Sequence, residues 1–481
     1  MTRRALHLLP GIAALLLAWG CASVPRDAGV GDVSRAVADR TGHTLAWQPG
    51  QPIEPPADAP LDAALGVAPE GELTVDRAVE LALANNRDLL ATLEDLGIAR
   101  ADLIAARTIR NPLFEGEYHF PNQRFTPYEF AVTQTVVDLI QLPRRRALGE
   151  AEMTAARLRV TASVVGFASE VRGDFYALQA AQAALAQEQA VTAAAEAAAQ
   201  LTQRQHEAGN VTDLDLETEQ ARYEQAKLAL ARAELDELQA RERLLADLGA
   251  TRSVPLRLAA QSAPPPEPEA PVEQVEATQD SRLDVQLARA EVEAARRAGP
   301  IARTAPFDDL AAGIHWDRES GGERSRGPIG TVPIPLFDRG LAKRARATAV
   351  LRQAEQRLHA LTVNGRAEAR AAHERVVEAR ARAAYLADVV LPRRQRILYL
   401  TQLEYDAMQR GAFDLLRARQ DLADAERERV LAIRDYWLAK TDLEAATSGV
   451  TGFSVRAERP PRRENGEFSD GMRLTSARGN E

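Results

Sequence analysis

Aromatic residues are scarce: Phe, Trp and Tyr together make up only 5% of the 481 residues. A globular core normally leans on such side chains, each of which buries about 150–250 Å². Their shortage, set against 27% charged residues and abundant alanine, argues against the roughly three globular domains that length alone suggests. It points instead to long, narrow helices that meet through small residues. Cysteine occurs once, at Cys21, which excludes an internal disulfide framework and any cysteine-based zinc finger. Basic residues are outnumbered by acidic ones, 60 to 69, so nucleic acid, which selects a basic face, is not an expected partner. The chain has no P-loop, no Gly-x-Gly-x-x-Gly after a strand, no His-Glu-x-x-His and no nucleophile elbow. Neither an enzyme nor a cofactor nor a metal site is therefore expected. Beyond the first twenty residues every apolar run is broken by charge, so no helix is expected to span a membrane. A membrane protein without such helices must use a β-barrel or sit on the surface by a lipid.

Residues 1–20 read as an export signal. Arg3 and Arg4 form a positive start, and the apolar stretch from Leu6 to Trp19 is too short for a transmembrane helix but fits a secretory core. Cys21 follows directly. The arrangement resembles a bacterial lipoprotein signal, which implies that Cys21 becomes the lipidated first residue of the mature chain. Ala22 in place of aspartate implies sorting to the outer membrane. Ala18 and the bulky Trp19 depart from the usual pattern, and an ordinary cleaved signal with an incidental cysteine is the alternative.

The rest of the chain is written twice. Residues 73–250 and 281–449 share one plan: a helix, a proline, two strand-like runs, a very long helix, a glycine turn and another helix. Pro112 pairs with Pro306, Asp138 with Asp338, Gly209 with Gly411 and Gly249 with Gly449. The period is too long for a solenoid repeat. Thr74 is placed to cap a first helix running to about Thr108. From Pro143 to about Ala208 almost nothing breaks a helix, which at 1.5 Å per residue would be roughly 95–100 Å long. The second long helix is expected from about Gly340 to Gln409, with a kink at Pro392. In the helix after Gly209, Leu216, Tyr223, Leu230 and Leu244 recur every seven residues, broken by Glu237, beside a second seam of Ala226, Ala233 and Ala240. Such a period imposes a left-handed supercoil.

Four short two-faced runs stand out. Phe114, Gly116, Tyr118 and Phe120 alternate with Glu115, Glu117 and His119. Phe130, Val132 and Val136 alternate with Glu129, Thr133 and Thr135. In the second half, Ala312, Ile314 and Trp316 alternate with Gly313, His315 and Asp317. Val332, Ile334 and Leu336 alternate with Thr331, Pro333 and Pro335 after a loop at residues 320–323. They give hairpins over residues 113–138 and 310–337, one face apolar and one polar, as a membrane barrel requires. Four strands close no barrel, since natural ones begin at about eight, and open edges in lipid are costly. A protomer with these hairpins must share its barrel.

Residues from Leu73 to Asn86, and the run Pro333-Ile334-Pro335-Leu336-Phe337-Asp338-Arg339-Gly340, resemble the TolC family of outer-membrane efflux channels over about residues 73–449. The resemblance implies a mainly α fold with a small β part. Long helices form a coiled-coil α-helical barrel, and four strands per protomer enter a trimeric twelve-stranded outer-membrane β-barrel. It further implies a homotrimer in the Gram-negative outer membrane, a periplasmic adaptor (membrane fusion protein) and an inner-membrane pump, the RND type being one candidate. The runs Gly411-Ala412-Phe413-Asp414-Leu415-Leu416 and Arg434–Lys440 look like a branch linked to copper and other heavy-metal resistance. The alternative reading of the whole chain is a lipid-anchored periplasmic coiled-coil scaffold without a channel.

The turns at Gly209 and Gly411 join long helices to shorter ones, and both glycines suit a left-handed C-cap. The resemblance places the periplasmic aperture there. Asp213 and Asp414 match acidic pore positions, which as rings of three would concentrate cations; an aspartate before a leucine-rich helix is equally an N-cap. Arg417, one turn past Asp414, allows an intrahelical pair, and Glu404 and Asp406 read as a solvated face. His119 and His315 read as solvated polar residues, because a wide lumen is too broad for direct metal coordination at ~2 Å. Residues 21–72 are expected to run extended from the lipid anchor. The Pro-rich 251–280 link the repeats as part of an equatorial belt implied by the resemblance. Residues 450–481 are expected to be disordered.

Overall fold

The computed structural model describes residues 29–45, 47, 72–118, 127–260, 263–265, 269–319 and 321–453. The export signal, Cys21, His119 and most of the tail expected to be disordered lie outside these residues.

Helix α1 (Val30–Thr41) replaces part of the extended course expected over 21–72. Val30, Val33 and Val37 recur on one helical face and are all buried, and left-handed Gly29 and Gly42 end the helix. A stripe of that kind folds only where another surface covers it. The long helix described below does so, and Arg157 there reaches Asp32 at 3.2 Å.

The segment expected as one helix to Thr108 is three: α2 (Val75–Asn85), α3 (Arg87–Leu93) and α4 (Asp95–Arg107). Thr74 caps α2 as expected, its hydroxyl accepting from the Arg77 N–H at 3.3 Å. The break lies at Asn86, whose ψ of 119° leaves the helical region. Its side-chain oxygen accepts from the Leu89 N–H at 2.9 Å, and its amide donates to the Asp247 carbonyl at 3.1 Å. One asparagine thus caps α3 and ties it to the end of a distant helix.

Strands β1 (Leu113–Tyr118) and β2 (Tyr128–Thr135) lead into α5 (Val136–Glu207), a helix of 72 residues and roughly 108 Å. It starts before Pro143 rather than at it. A proline removes one intrahelical bond, and burial of Val137 and Asp138 holds the turns that precede it. Helix α6 (Asp213–Asp247) runs back along α5. Near the tip the alanine seam is the buried one, Ala226 and Ala233 being covered while Leu216, Tyr223 and Leu230 are half-buried; towards the end of the helix the order reverses, with Leu244 buried and Ala240 half-buried. The Thr192 hydroxyl of α5 donates to the Ala226 carbonyl at 3.2 Å, an approach that a small side chain permits. Glu237, which interrupts the leucine seam, is buried and accepts from Arg241 at 3.0 Å.

The segment between the halves lies across both. Leu73 and Leu258 form a parallel bridge. Gln182 donates to the Leu256 carbonyl at 3.0 Å. Helix α7 (Val272–Ala277) then leads to α8 (Leu283–Thr304). Strands β3 (Ala311–Arg318) and β4 (Arg324–Thr331) follow, then α9 (Leu341–Tyr385), a π turn at Leu386–Val390, α10 (Leu391–Asp406) and α11 (Ala412–Ser448). The π turn occupies the place of the expected Pro392 break. Pro392 sits just after it, where the wider i→i+5 turn accommodates the missing N–H and the ring.

The four strands form one antiparallel sheet in the order β1-β2-β3-β4, so the two halves meet at β2 and β3. The fourth strand occupies 324–331, not the expected 331–336. Pro333 and Pro335 are two residues apart, so both would withdraw donors from the same side of a strand, and the ladder ends at Thr331. Pro328 lies within β4, an outer strand, where a single proline is tolerated. At the other end of the second half, Val450 joins the core, and the Phe453 carbonyl lies against Gly166 of α5, where no Cβ would fit. Order therefore continues past residue 450.

Candidate functional site: helix tips and strand face

Two turns lie at the end of the helices remote from the sheet. In the first, Gly209 takes the expected left-handed conformation, φ 76°, and its N–H donates to the His206 carbonyl at 2.8 Å. Thr212, not Asp213, is the N-cap of α6. Its hydroxyl accepts from the Asp215 N–H at 3.2 Å, while the Asp215 carboxylate accepts from the Thr212 N–H at 3.1 Å. The Thr212 hydroxyl also donates to the Asp215 carboxylate at 2.7 Å, and this bond, then the one from the Thr212 N–H, holds the Asp215 carboxyl below its ordinary range. With capping done by its neighbours, Asp213 is released from that role. Its side chain is 93% exposed, and its Oδ1 accepts a 2.6 Å hydrogen bond from His206 Nε2. The sequence carried a signal for this pair: His206 and Asp213 bracket the Gly-Asn turn seven residues apart.

The second turn differs. Gly411 is extended, φ −80°, and is the N-cap of α11. The left-handed position falls to Met408, φ 57°, the one non-glycine residue there among those described. Asp414 lies in the first turn of α11, where a carboxylate complements the helix dipole. The ion pairs at this end are Arg410–Glu404 at 2.8 Å and Arg394–Asp421 at 2.7 Å; the Asp414–Arg417 pair that the spacing allows does not form. Glu404 is thus engaged, and Asp406 accepts from Gln402 at 2.9 Å. Just above the tips, α5 and α11 leave an alanine-walled groove of about 420 Å³, flanked by Glu219, Arg419 and Glu426.

At the opposite end the register sorts the strand residues by face. Phe114 pairs with Val132, Val132 with Ile314 and Ile314 with Pro328; Phe130 pairs with Trp316. Phe114 and Phe130 stack at 5.8 Å, Tyr128 and Phe130 at 5.1 Å. The other face carries Glu115, Glu117, Glu129, His315 and Asp317. His315 Nε2 lies 3.7 Å from Asp317 Oδ1, and no cluster able to hold a metal occurs among the described residues.

Below the sheet, the landmark aspartates act differently. Asp138, 3% exposed, accepts both Arg110 nitrogens at 2.7 and 2.9 Å, with Arg145 at 3.4 Å. The Arg110 hydrogen bonds hold its carboxyl below the ordinary range against the opposing effect of burial. Asp338 accepts from the N–H of left-handed Gly340 at 2.8 Å. Midway along the helices, Glu269 receives the Tyr436 hydroxyl at 2.9 Å and Lys440 at 2.6 Å. Burial opposes the Glu269 charge, but these two donors outweigh it and hold its pKa down. Burial, then the Glu269 contact, pushes Tyr436 up to about 12.

Residues 78–250 match the family model described as outer membrane efflux protein. No curated protein matches the chain. Among solved structures it is similar to a membrane protein from Pseudomonas aeruginosa at 21% identity, covering 80% of this chain and 92% of that one, TM-score 0.64. It is similar to the CmeC outer membrane channel of Campylobacter jejuni at 17% identity, covering 79% and 86%, TM-score 0.65. It is also similar to the open state of the MtrE outer membrane channel of Neisseria gonorrhoeae at 18% identity, covering 79% and 90%, TM-score 0.61. Identities this low speak to the fold alone: over about four-fifths of its length the chain has the fold of outer membrane channels, and within it residues 78–250 match the outer membrane efflux protein family.

Proposed function

We propose that three copies of this chain form a passive conduit through the outer membrane, with the four-stranded sheets as thirds of a twelve-stranded barrel and the long helices as a periplasmic tube. One observation carries this reading: a two-faced sheet with both outer strands, β1 and β4, uncovered among the described residues, at the end of helices roughly 100 Å long. Its apolar face needs lipid, and its edges need strands from elsewhere. A scaffold held only by a lipid has no use for either. Energy comes from a pump in the inner membrane, reached through a periplasmic adaptor whose helices fit the groove between α5 and α11. Asp213 and Asp414, free of capping and of Arg417 respectively, form acidic rings at the aperture and favour cations. Heavy-metal cations such as copper are the preferred cargo, on the likeness of Gly411–Leu416 and Arg434–Lys440 to that branch; drugs are the competing cargo. Cys21 is the lipidated residue after removal of 1–20.

The test is the mass of the purified protein in detergent together with its conductance in planar bilayers. A trimer with steady conductance is expected; a monomer without conductance overturns the reading. Deletion in the native host, followed by tolerance tests against copper, silver, zinc and organic drugs, decides the cargo. Unchanged metal tolerance with the pump present overturns the metal preference. Labelled palmitate should enter the parent and not the Cys21→Ser variant.

A further inference from the structure

The register concentrates arginine on the apolar face of the sheet, at the end away from the helices. Tyr128 pairs with Arg318, and Arg318 with Arg324; in the next row of that face, Trp316 pairs with Arg326. Tyr118 opposes Tyr128 and completes the first row. Arg324 and Arg326 are exposed and Arg318 half-buried. The carboxylates of the same strand ends, Glu117, Glu129 and Asp317, all lie on the other face. Charge is therefore segregated by sign across the thickness of one sheet.

The position matters as much as the sign. At the helix end of the sheet β4 stops at Thr331, so Arg326 and Arg324 lie five and seven residues farther along, roughly 17–23 Å at 3.3 Å per residue. An apolar belt on an outer-membrane barrel is about 25 Å tall and ends in aromatic residues at the interface. Arginine on a lipid-facing surface costs about 2–4 kcal/mol at mid-membrane and little at the interface. Arg324 and Arg326, exposed beside Arg318, two tyrosines and a tryptophan, mark the outer interface and call for an anion there.

Resting on the barrel reading above, we propose that Arg318, Arg324 and Arg326, with Tyr118, Tyr128 and Trp316, form a binding site for the phosphate-bearing headgroups of outer-leaflet lipid. Guanidinium forks bind phosphate oxygens in pairs, and the aromatic rings pack the first segments of the acyl chains. The site anchors the barrel at a fixed depth, on the outside of the channel and independent of its cargo.

The test uses the full-length protein in detergent, with bound lipid counted by native mass spectrometry. The probes are a diphosphorylated lipid A and its dephosphorylated analogue. The parent should retain the phosphorylated lipid and bind the analogue at least about tenfold more weakly, and the triple variant R318Q/R324Q/R326Q should lose that difference. Glu117→Gln and Asp317→Asn, on the opposite face, should preserve it. If the triple variant does not assemble, Arg326→Gln alone should reduce the preference roughly threefold. Equal binding of the two lipids by an assembled parent overturns the inference while leaving the barrel intact. Complete displacement of the lipid by inorganic phosphate overturns it too, because the aromatic rings would then contribute nothing. A parent that is monomeric in detergent fails the barrel reading instead.

Discussion

Met408 holds, at φ 57°, the left-handed backbone position in the second helical turn that Gly209 holds at φ 76° in the first. The two turns close similar helix pairs with unlike residues. A side chain there costs roughly 1 kcal/mol that glycine avoids.

Met408→Gly should therefore stabilise the second turn by up to about 1 kcal/mol, and Gly209→Ala should destabilise the first by about the same amount. Thermal unfolding of the two variants checks the opposite signs. Equal effects would show that the turns are not strained in the way the dihedral angles indicate.

Asp213 is expected to act in the aperture and not in folding, because Thr212 and Asp215 already cap α6. Asp213→Asn together with Asp414→Asn should lower the cation-to-anion permeability ratio several-fold in planar bilayers, with unfolding temperature little changed. Thr212→Ala should do the reverse, costing about 1 kcal/mol of stability with selectivity preserved. A double aspartate variant with parental selectivity removes these residues from the aperture.

The Arg110–Asp138 pair gives the junction below the sheet a pH dependence of known sign. Asp138 has its carboxyl pKa depressed in the folded state. Its contribution is present above the ordinary aspartate value of about 3.9 and is lost as pH falls through the lower folded value. Asp138→Asn should cost about 1.5–3 kcal/mol at neutral pH and flatten the acid limb of stability. Hydrogen exchange of Arg110 and its neighbours between pH 7 and pH 3 measures the effect.

At the other end of the scale, Tyr436 should keep the inter-repeat segment docked until strongly alkaline conditions. Its pKa is raised to about 12 in the fold, so its contribution is complete below about 10 and is lost as pH rises towards the folded value. Tyr436→Phe removes the donor to Glu269 and should cost about 1–3 kcal/mol, with protease cleavage near residues 261–268 as the readout.

Gly166→Ala should loosen the chain beyond α11. A Cβ there would clash with the Phe453 carbonyl oxygen, and such overpacking costs about 1–3 kcal/mol. Faster proteolysis after residue 450, with the helices intact, is the expected outcome.

Much of the architecture was legible because it rests on periodicity. Long breaker-free stretches mean long helices, heptads of alanine and leucine mean paired helices, and alternation from Leu113 and from Ala311 means strands with two faces. Partnership was not legible. Val30, Val33 and Val37 carry a helical stripe, yet without sight of α5 the proline-rich surroundings favoured an extended course. Val332, Ile334 and Leu336 alternate as well as any strand, and the pairing of β4 with β3 over residues 324–331 went to the less patterned run before them.

Sequence alone determined the family resemblance, the duplicated pattern and the mainly helical class with four strands. These follow from local spacing, which the chain carries whatever its neighbours. Only the tertiary structure decided that the strands join in a single sheet through β2 and β3, that Thr212 caps α6 and leaves Asp213 to His206, that Met408 takes the second left-handed turn, and that three arginines share the apolar face of the sheet. Each depends on register between segments far apart in the chain. One residue of slip would reverse every face, and no local pattern specifies it.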